Sequence, residues 1–286
     1  MGNKMIKIKI PKIPKNIISK KKILDDNSII KQNSNIFLRN FFKKKNMDLV
    51  SSASIPKKIS NRKDINKDKK PFIPELLDLY FLYNLVVNNN RINILEYGTG
   101  WSTIVLSKAL QEVKLKKKGK FYKKVIKPFH LTVCDNSKKF LNISKKRYLK
   151  VFKNIKNCTF YYSKVKLTKF NGQISTEYTN HPPINPDLIY LDGPNPYTIS
   201  EKIDGFKINN NETNIPMNCD ILKIENFLNP GTIVVADGRN SNIRFLKNNF
   251  RRKWKHIQVK NVDINILYLN EKPLGFWNQN QLDYFK

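Results

Sequence analysis

"INILEYGTGWSTIVLSKAL", residues 92–110, is the stretch on which the fold turns. Its first six residues form a strand-like apolar run, two glycines follow, and the remainder carries apolar residues at helical spacing. A strand that ends in a glycine turn and opens a helix is how a parallel sheet usually holds a nucleotide-type cofactor. Dinucleotide binding asks for Gly-x-Gly-x-x-Gly, and counting from Gly98 and Gly100 the third position is Thr103. Glu96 stands two residues before the first glycine, at the strand's carboxyl end, where ligands bind in such sheets and where a carboxylate repels a pyrophosphate.

Outward from this stretch the chain alternates. Upstream, "PFIPELLDLYFLYNLVVNN" places Leu76, Leu79, Tyr80, Tyr83, Val86 and Val87 at spacings of three and four, with Pro74 suited to the first turn of an amphipathic helix. Downstream come a helix near 102–113, the strand "HLTVC", a helix near 137–152, the strand "CTFYYS", an irregular stretch and the strand "LIYL". Met217, Ile221, Ile224 and Leu228 mark a further helix before the strand "TIVVA", and Ile243, Leu246 and Phe250 mark one after it. This is an α/β pattern, a mostly parallel sheet with helices on both faces. "WKHIQVK" and "INILYLN" are separated only by "NVD", which leaves no room for a crossover helix, so they pair as an antiparallel hairpin.

The ligand that suits the turn is positively charged and free of phosphate. S-adenosylmethionine, with an ammonium and a sulfonium, meets both conditions. Gly98, Thr99, Gly100, Trp101 and Ser102 form the cradle, the glycines let the backbone approach the methionine moiety, and Glu96 meets its amino group directly or through water. "EYGTGWST" resembles motif I of the class I S-adenosylmethionine-dependent methyltransferases, with Trp101 and Ser102 in place of the more usual glycine-rich ending. A parallel sheet ending in one antiparallel hairpin strand matches the seven-stranded Rossmann-like architecture of that class. Asp135, in "TVCDNSKKF", is placed at the end of the second strand to accept hydrogen bonds from ribose hydroxyls. It lies 39 positions after Glu96, beyond the usual distance of about 20, because the basic loop "KLKKKGKFYKKVIKP" is inserted between them. Asp135 or Ser137 would alternatively cap the next helix.

The fourth strand ends in "LIYLDGPNPY". Methyltransferases that act on base amino groups begin an Asn or Asp followed by Pro-Pro-Tyr here, and Asn195-Pro196-Tyr197 is displaced from that position and lacks a proline. A magnesium site of the catechol type would use Asp192 with an Asp-Asn pair after the fifth strand, where this chain has Asp237-Gly238-Arg239, so no metal is expected. Methyl transfer needs alignment and sometimes a base. Asp192 or Asp237 is the candidate base, Asp192 also borders the cofactor, and Arg239 is the candidate for an anionic substrate group, with Asn242 and Arg244 on the next turn. Helix capping by Asp237 and simple solvation of Arg244 are the competing roles.

The resemblance extends over about residues 71–286. "PPINPDLIYLDGP", "PMNCDILKIENFLNPGTIVVADGRNSNIRFLKNNFRRKW" and "EKPLGFWNQNQLDYF" together resemble a bacterial family of class I methyltransferase-like proteins associated with surface-polysaccharide gene neighbourhoods. That resemblance implies S-adenosylmethionine and a small-molecule or glycan-precursor acceptor, and it implies no catalytic residues.

Residues 1–70 are lysine-rich, broken by proline and asparagine, and read as a basic N-terminal segment, mostly irregular or weakly helical, outside the main core of residues 71–286. The N-terminus has no continuous apolar run of a secretory signal, and Ile6 stands where a myristoylation pattern wants Ser or Thr. No apolar run reaches membrane-spanning length, and three widely spaced cysteines form neither a disulfide framework nor a zinc pattern, so a reducing cytoplasm is expected. The net charge of +32 points toward nucleic acid or an anionic membrane surface. Lysine, asparagine and isoleucine share A/T-rich codons, however, while arginine, the better phosphate reader, is scarce. Two rivals to a small-molecule methyltransferase follow. One is an RNA or DNA methyltransferase using the basic loop 113–128 with Phe121 and Tyr122. The other is a non-catalytic binding module, motivated by Trp101, whose N-terminal lysines touch a partner or an anionic membrane.

Overall fold

Strand β1 (Asn93–Tyr97) is an interior strand of a seven-stranded sheet, and it carries apolar side chains on both faces. Ile94 enters one apolar cluster, and Leu95 and Tyr97 enter another on the opposite face. The structure, a computed structural model, describes residues 7–14, 17, 35–53, 73–117, 127–208 and 215–286.

Around β1 the sheet adds β2 (His130–Asp135), β3 (Cys158–Tyr162), β6 (Leu188–Leu191), β10 (Ile233–Asp237), β11 (Trp254–Val259) and β12 (Ile264–Leu269), in the spatial order β3-β2-β1-β6-β10-β12-β11. β1 pairs in parallel with β2 and β6, β2 with β3, and β6 with β10. β12 runs antiparallel to both β10 and β11, which is the hairpin expected from the short "NVD" connection. From β1 the chain builds outward to β3 and then returns to place β6 on the other side of β1. The strand order therefore reverses between β1 and β6, and the crevice of such a sheet opens at their carboxyl ends.

One face is covered by α3 (Leu76–Asn88), α4 (Ser102–Lys116), α5 (Lys138–Phe152) and the C-terminal α8 (Phe276–Phe285). The other carries the short α6 (Asp220–Ile224) and α7 (Asn240–Asn249). Two further helices, α1 (Ile36–Lys44) and α2 (Asp48–Ala53), correct the expectation that the segment before residue 71 stays outside the main core. Leu38, Phe42, Met47 and Val50 are fully buried in the same cluster as α3. Phe41 makes edge contacts with Tyr80 and Tyr83, so α1 covers part of the apolar stripe of α3, and Leu77, Phe81, Leu82 and Leu85, off that stripe, are buried as well. Pro74 precedes the N-cap residue Glu75 rather than standing in the first turn.

Two other expectations change. The stretch after β3 is a hairpin, β4 (Val165–Phe170) with β5 (Gln173–Tyr178), joined by Asn171 and Gly172. Both turn residues have positive φ, +48° and +75°, as a two-residue hairpin turn requires. Met217 belongs to β9 (Met217–Asn218), which pairs with Ser175 and Thr176 of β5, so the predicted helix shrinks to α6 and a turn of 3-10 helix at Glu225–Phe227. A two-stranded ribbon, β7 (Lys202–Ile203) and β8 (Phe206–Lys207), completes a small lobe beside the sheet, with Leu167, Ile199 and Ile208 as its core. The basic loop's Phe121 and Tyr122, and the N-terminal residues Gly2 and Ile6, lie outside the described residues.

Candidate functional site

Four adjacent strands, β2, β1, β6 and β10, each present an acidic residue at the carboxyl end. Asp135 closes β2, Glu96 is the penultimate residue of β1, Asp192 follows β6 and Asp237 closes β10. In a chain of net charge +32 this is a local reversal of sign at the switch point. Such a donor set favours a cationic ligand and disfavours a phosphate.

The turn after β1 is held from beneath. The N–H of Gly98 donates to the Cys134 carbonyl at 2.9 Å, and the N–H of Asp192 donates to the Tyr97 carbonyl at 2.8 Å, so β1 stays joined to both neighbours past its last residue. Gly98 has φ +91°, and a Cβ there would lie 2.9 Å from the backbone of Asp192 and Gly193. A Cβ on Gly193 would lie 2.5 Å from the Gly98 nitrogen and 2.9 Å from the Tyr178 hydroxyl. These glycines face each other because two strand ends meet there, a purely internal demand. Gly100 is different. Leaving aside its chain neighbours, a Cβ would meet only Ser102 Oγ, at 3.8 Å, and its φ is not in the left-handed region. The protein's own packing does not require glycine at 100, and the space beside its backbone is open.

Glu96 points toward α4 and is fully buried. Its two oxygens accept hydrogen bonds from the hydroxyls of Ser102 and Thr103, the latter at 2.7 Å. Thr103 Oγ1 also accepts from the Gly100 N–H and lies 3.3 Å from Thr99 Oγ1, while Ser144 of α5 donates to the Gly100 carbonyl at 3.3 Å. Burial pushes the Glu96 carboxyl up to about 8; the two hydroxyls oppose this, and the charges of Asp192 and Asp135 add to it. Glu96 therefore organises the loop from Thr99 to Thr103, with both of its oxygens taken up by the hydroxyls of Ser102 and Thr103. Trp101 packs against the apolar cluster on this face, with the guanidinium of Arg147 stacked over its ring at 4.0 Å.

Asp135 Oδ1 accepts from the Ser137 N–H at 2.6 Å, and Ser137 caps α5 by accepting from the Phe140 N–H. The capping function is thus carried by Ser137, with Asp135 supporting the turn from the strand end. Asn136 ties this turn to the loop after β6, donating to the Asn195 carbonyl and to Thr198 Oγ1, both at 2.8 Å.

Asp192 has half of its side-chain surface accessible, yet the protein surrounding it raises its carboxyl pKa. Arg239 opposes that rise: its guanidinium donates to the Asp192 carbonyl, and Nε lies 4.0 Å from Oδ1. The Arg239 side chain is thereby turned to Asp192 in this structure. Asp237 is partly exposed, one strand further along. Asn242 points inward: it is buried, and its carboxamide accepts from the Asn218 N–H at 2.9 Å and donates to the Asn218 carbonyl at 3.1 Å, pinning β9. Arg244 is exposed on α7.

Sequence reasoning missed Tyr178, whose hydroxyl donates to the Cys134 carbonyl at 3.3 Å beneath Gly193, and whose ring stacks on Tyr97 at 5.4 Å. The "NG" at 171–172, seven and six residues before it, is the signal that would have placed it at the end of a hairpin strand. It also missed His181, which is bonded through Nε2 to the Tyr97 hydroxyl and through Nδ1 to the Pro182 carbonyl. Among the described residues no three His, Cys, Asp or Glu side chains gather as a metal-ion set, and no helix is long and apolar enough to cross a membrane.

No family model matches the chain, and no curated protein matches it. Among solved structures it is similar to an O-methyltransferase from Bacillus cereus in complex with S-adenosylhomocysteine. That similarity has a TM-score of 0.39 and 13% identity over 83% of this chain and 92% of the other. It is also similar to the O-methyltransferase TomG from Streptomyces achromogenes, involved in tomaymycin synthesis, in complex with S-adenosylmethionine. Here the TM-score is 0.40, with 13% identity over 80% of this chain and 98% of the other. These are likenesses in outline, and the geometry described above stands without them.

Proposed function

We propose that the protein is an S-adenosylmethionine-dependent methyltransferase acting on an oxygen or nitrogen of a small-molecule or glycan-type acceptor. The observation that carries this reading is the row of four acidic residues at the switch point of a strongly basic chain, beside a glycine whose side-chain space the protein leaves open. The residues present fit the cofactor on those two counts. When bound, it supplies a methyl group activated on a sulfonium. Thr99, Gly100 and Ser102 would hold its amino-acid end, with Glu96 setting the positions of Ser102 and Thr103 behind the loop. Asp135 would accept from the ribose hydroxyls at the end of β2. Asp192, accessible and with a raised pKa, is suited to take the acceptor's proton, and Asp237 is the alternative on the next strand. Arg239 sets the position of Asp192 and would turn to an anionic group on the acceptor.

A non-catalytic binding module on the same fold is the second reading. What favours it is that both Glu96 oxygens are occupied by hydroxyls. Transfer of radiolabelled methyl from S-adenosylmethionine into a fractionated cell extract separates the two. Label entering a glycan, lipid-precursor or small-molecule fraction supports the enzyme. Label entering only RNA or DNA would move the acceptor to nucleic acid, and no label in any fraction would leave the binding module.

A further inference from the structure

The sheet edge opposite the crevice carries a feature that methyl transfer does not use. Phe227, Leu274, Phe276 and Trp277 are 73%, 64%, 71% and 50% exposed. The two segments that bear them are fastened together: Asn278 donates to the Pro230 carbonyl at 3.2 Å, and Asn229 donates to Gln281 at 3.2 Å. The Leu274 N–H donates to Asn278 Oδ1, and Gly275, with φ +86° and nothing near its Cβ position beyond its chain neighbours, forms a projecting tip. Phe276 and Trp277 meet edge to face at 5.5 Å. Single exposed apolar residues are ordinary, but four large ones carried on two segments that are hydrogen-bonded to each other mark an interaction surface.

The charges around this surface are sorted. Glu225 and Glu271 are committed to Arg252, to the Trp254 indole N–H and to backbone N–H groups of residues 251–253. Arg251 and Lys253, beside those acids, and Lys272, two residues from Leu274, are exposed. The segments that carry the large apolar side chains thus also carry exposed cations or are hydrogen-bonded to segments that do. We propose that this surface docks on an anionic lipid membrane, with Leu274, Phe276, Trp277 and Phe227 entering the headgroup region and Arg251, Lys253 and Lys272 meeting lipid phosphates. A second copy of this chain is a poor occupant, because each copy carries +32 and the exposed cations would face their own kind. Nucleic acid would use the cations and rings but gives Leu274 nothing to enter. Docking by this edge leaves the crevice, at the opposite ends of the strands, facing away from the bilayer.

The test is co-sedimentation of the full-length chain with vesicles of phosphatidylcholine alone or with about 30% phosphatidylserine, at about 150 mM salt. The wild type is expected to bind the anionic vesicles and not the neutral ones, with brominated lipid quenching fluorescence that Trp277→Phe removes. The triple variant Leu274→Ser, Phe276→Ser, Trp277→Ser should bind at least ~10-fold more weakly with an unchanged melting curve, since its side chains are exposed. Phe227→Ser, on the other segment, should weaken binding in the same direction. Vesicle binding by the triple variant equal to wild type would overturn the proposal by leaving only diffuse lysine attraction. So would the absence of vesicle binding, or patch-dependent dimerisation or single-stranded RNA binding in its place.

Discussion

Gly98 and Gly100 stand two residues apart in one turn, yet the structure gives them opposite roles, and alanine at each position separates those roles. At Gly98 an added Cβ would sit at φ +91° and 2.9 Å from two backbone atoms of the β6 end. The left-handed conformation costs about 1–2 kcal/mol for a residue with a Cβ. Forcing two strand ends apart adds about 1–3 kcal/mol, as overpacking does elsewhere. Gly98→Ala should therefore lose about 2–5 kcal/mol, which for a domain of this size lowers Tm by roughly 5–15 °C. At Gly100 the nearest atom outside the chain neighbours is 3.8 Å away and φ is not in the left-handed region. Gly100→Ala should leave Tm unchanged or raise it slightly, because alanine restricts the unfolded chain by about 0.4–1 kcal/mol. Scanning calorimetry of the two variants decides the matter. Equal Tm losses, or a loss at Gly100 alone, would refute the assignment of Gly98 to strand packing and of Gly100 to ligand approach.

Stability should fall as pH rises from about 4.5 toward 8. Glu96 and Asp220 have folded pKa values of about 8 and about 7, both raised by burial. In that window the folded state holds protons that the unfolded chain has released, at about 1.4 kcal/mol per group per pH unit. Urea titrations across the range should show it, and Glu96→Gln should flatten the upper part; stability that rises with pH would contradict the burial argument. Asn242→Ala removes both bonds to Asn218 and leaves two buried backbone groups unpaired, so it should lose about 2–4 kcal/mol in urea denaturation, more than an exposed change such as Arg244→Ala. Asp135→Ala should weaken S-adenosylhomocysteine binding about 10- to 100-fold in equilibrium dialysis by removing the ribose acceptor, and an unchanged affinity would move the ribose elsewhere.

The sheet was legible because its strands are short apolar runs separated by helices, and because three residues between "WKHIQVK" and "INILYLN" forbid a crossover. The β4–β5 hairpin was not, since "VKLTKF" and "QISTEY" alternate polar and apolar residues weakly, although the Asn171-Gly172 turn was there to be read. Met217 fitted a helical spacing with Ile221 and Ile224, and only its pairing with β5, more than forty residues back, makes it a strand. Leu38, Phe42, Met47 and Val50 are sparse in a lysine-rich text, and they are buried because α3, apolar on nearly every side, gives them a surface to cover. At the crevice, the positions of Glu96, Asp135, Asp192 and Asp237 follow from where strands end. Which atoms they face does not. The folding of Ser102 and Thr103 back onto Glu96 and the turn of Arg239 onto Asp192 depend on the three-dimensional path of loops that composition leaves open.

Isothermal titration of the wild-type protein and of Gly100→Val with S-adenosylhomocysteine tests the central claim most directly. The wild type should bind one equivalent, and Gly100→Val, with its melting curve preserved, should bind at least ~10-fold more weakly because its side chain fills the space beside the loop. Absence of heat from the well-folded wild type, or equal affinity in both proteins, would contradict the account.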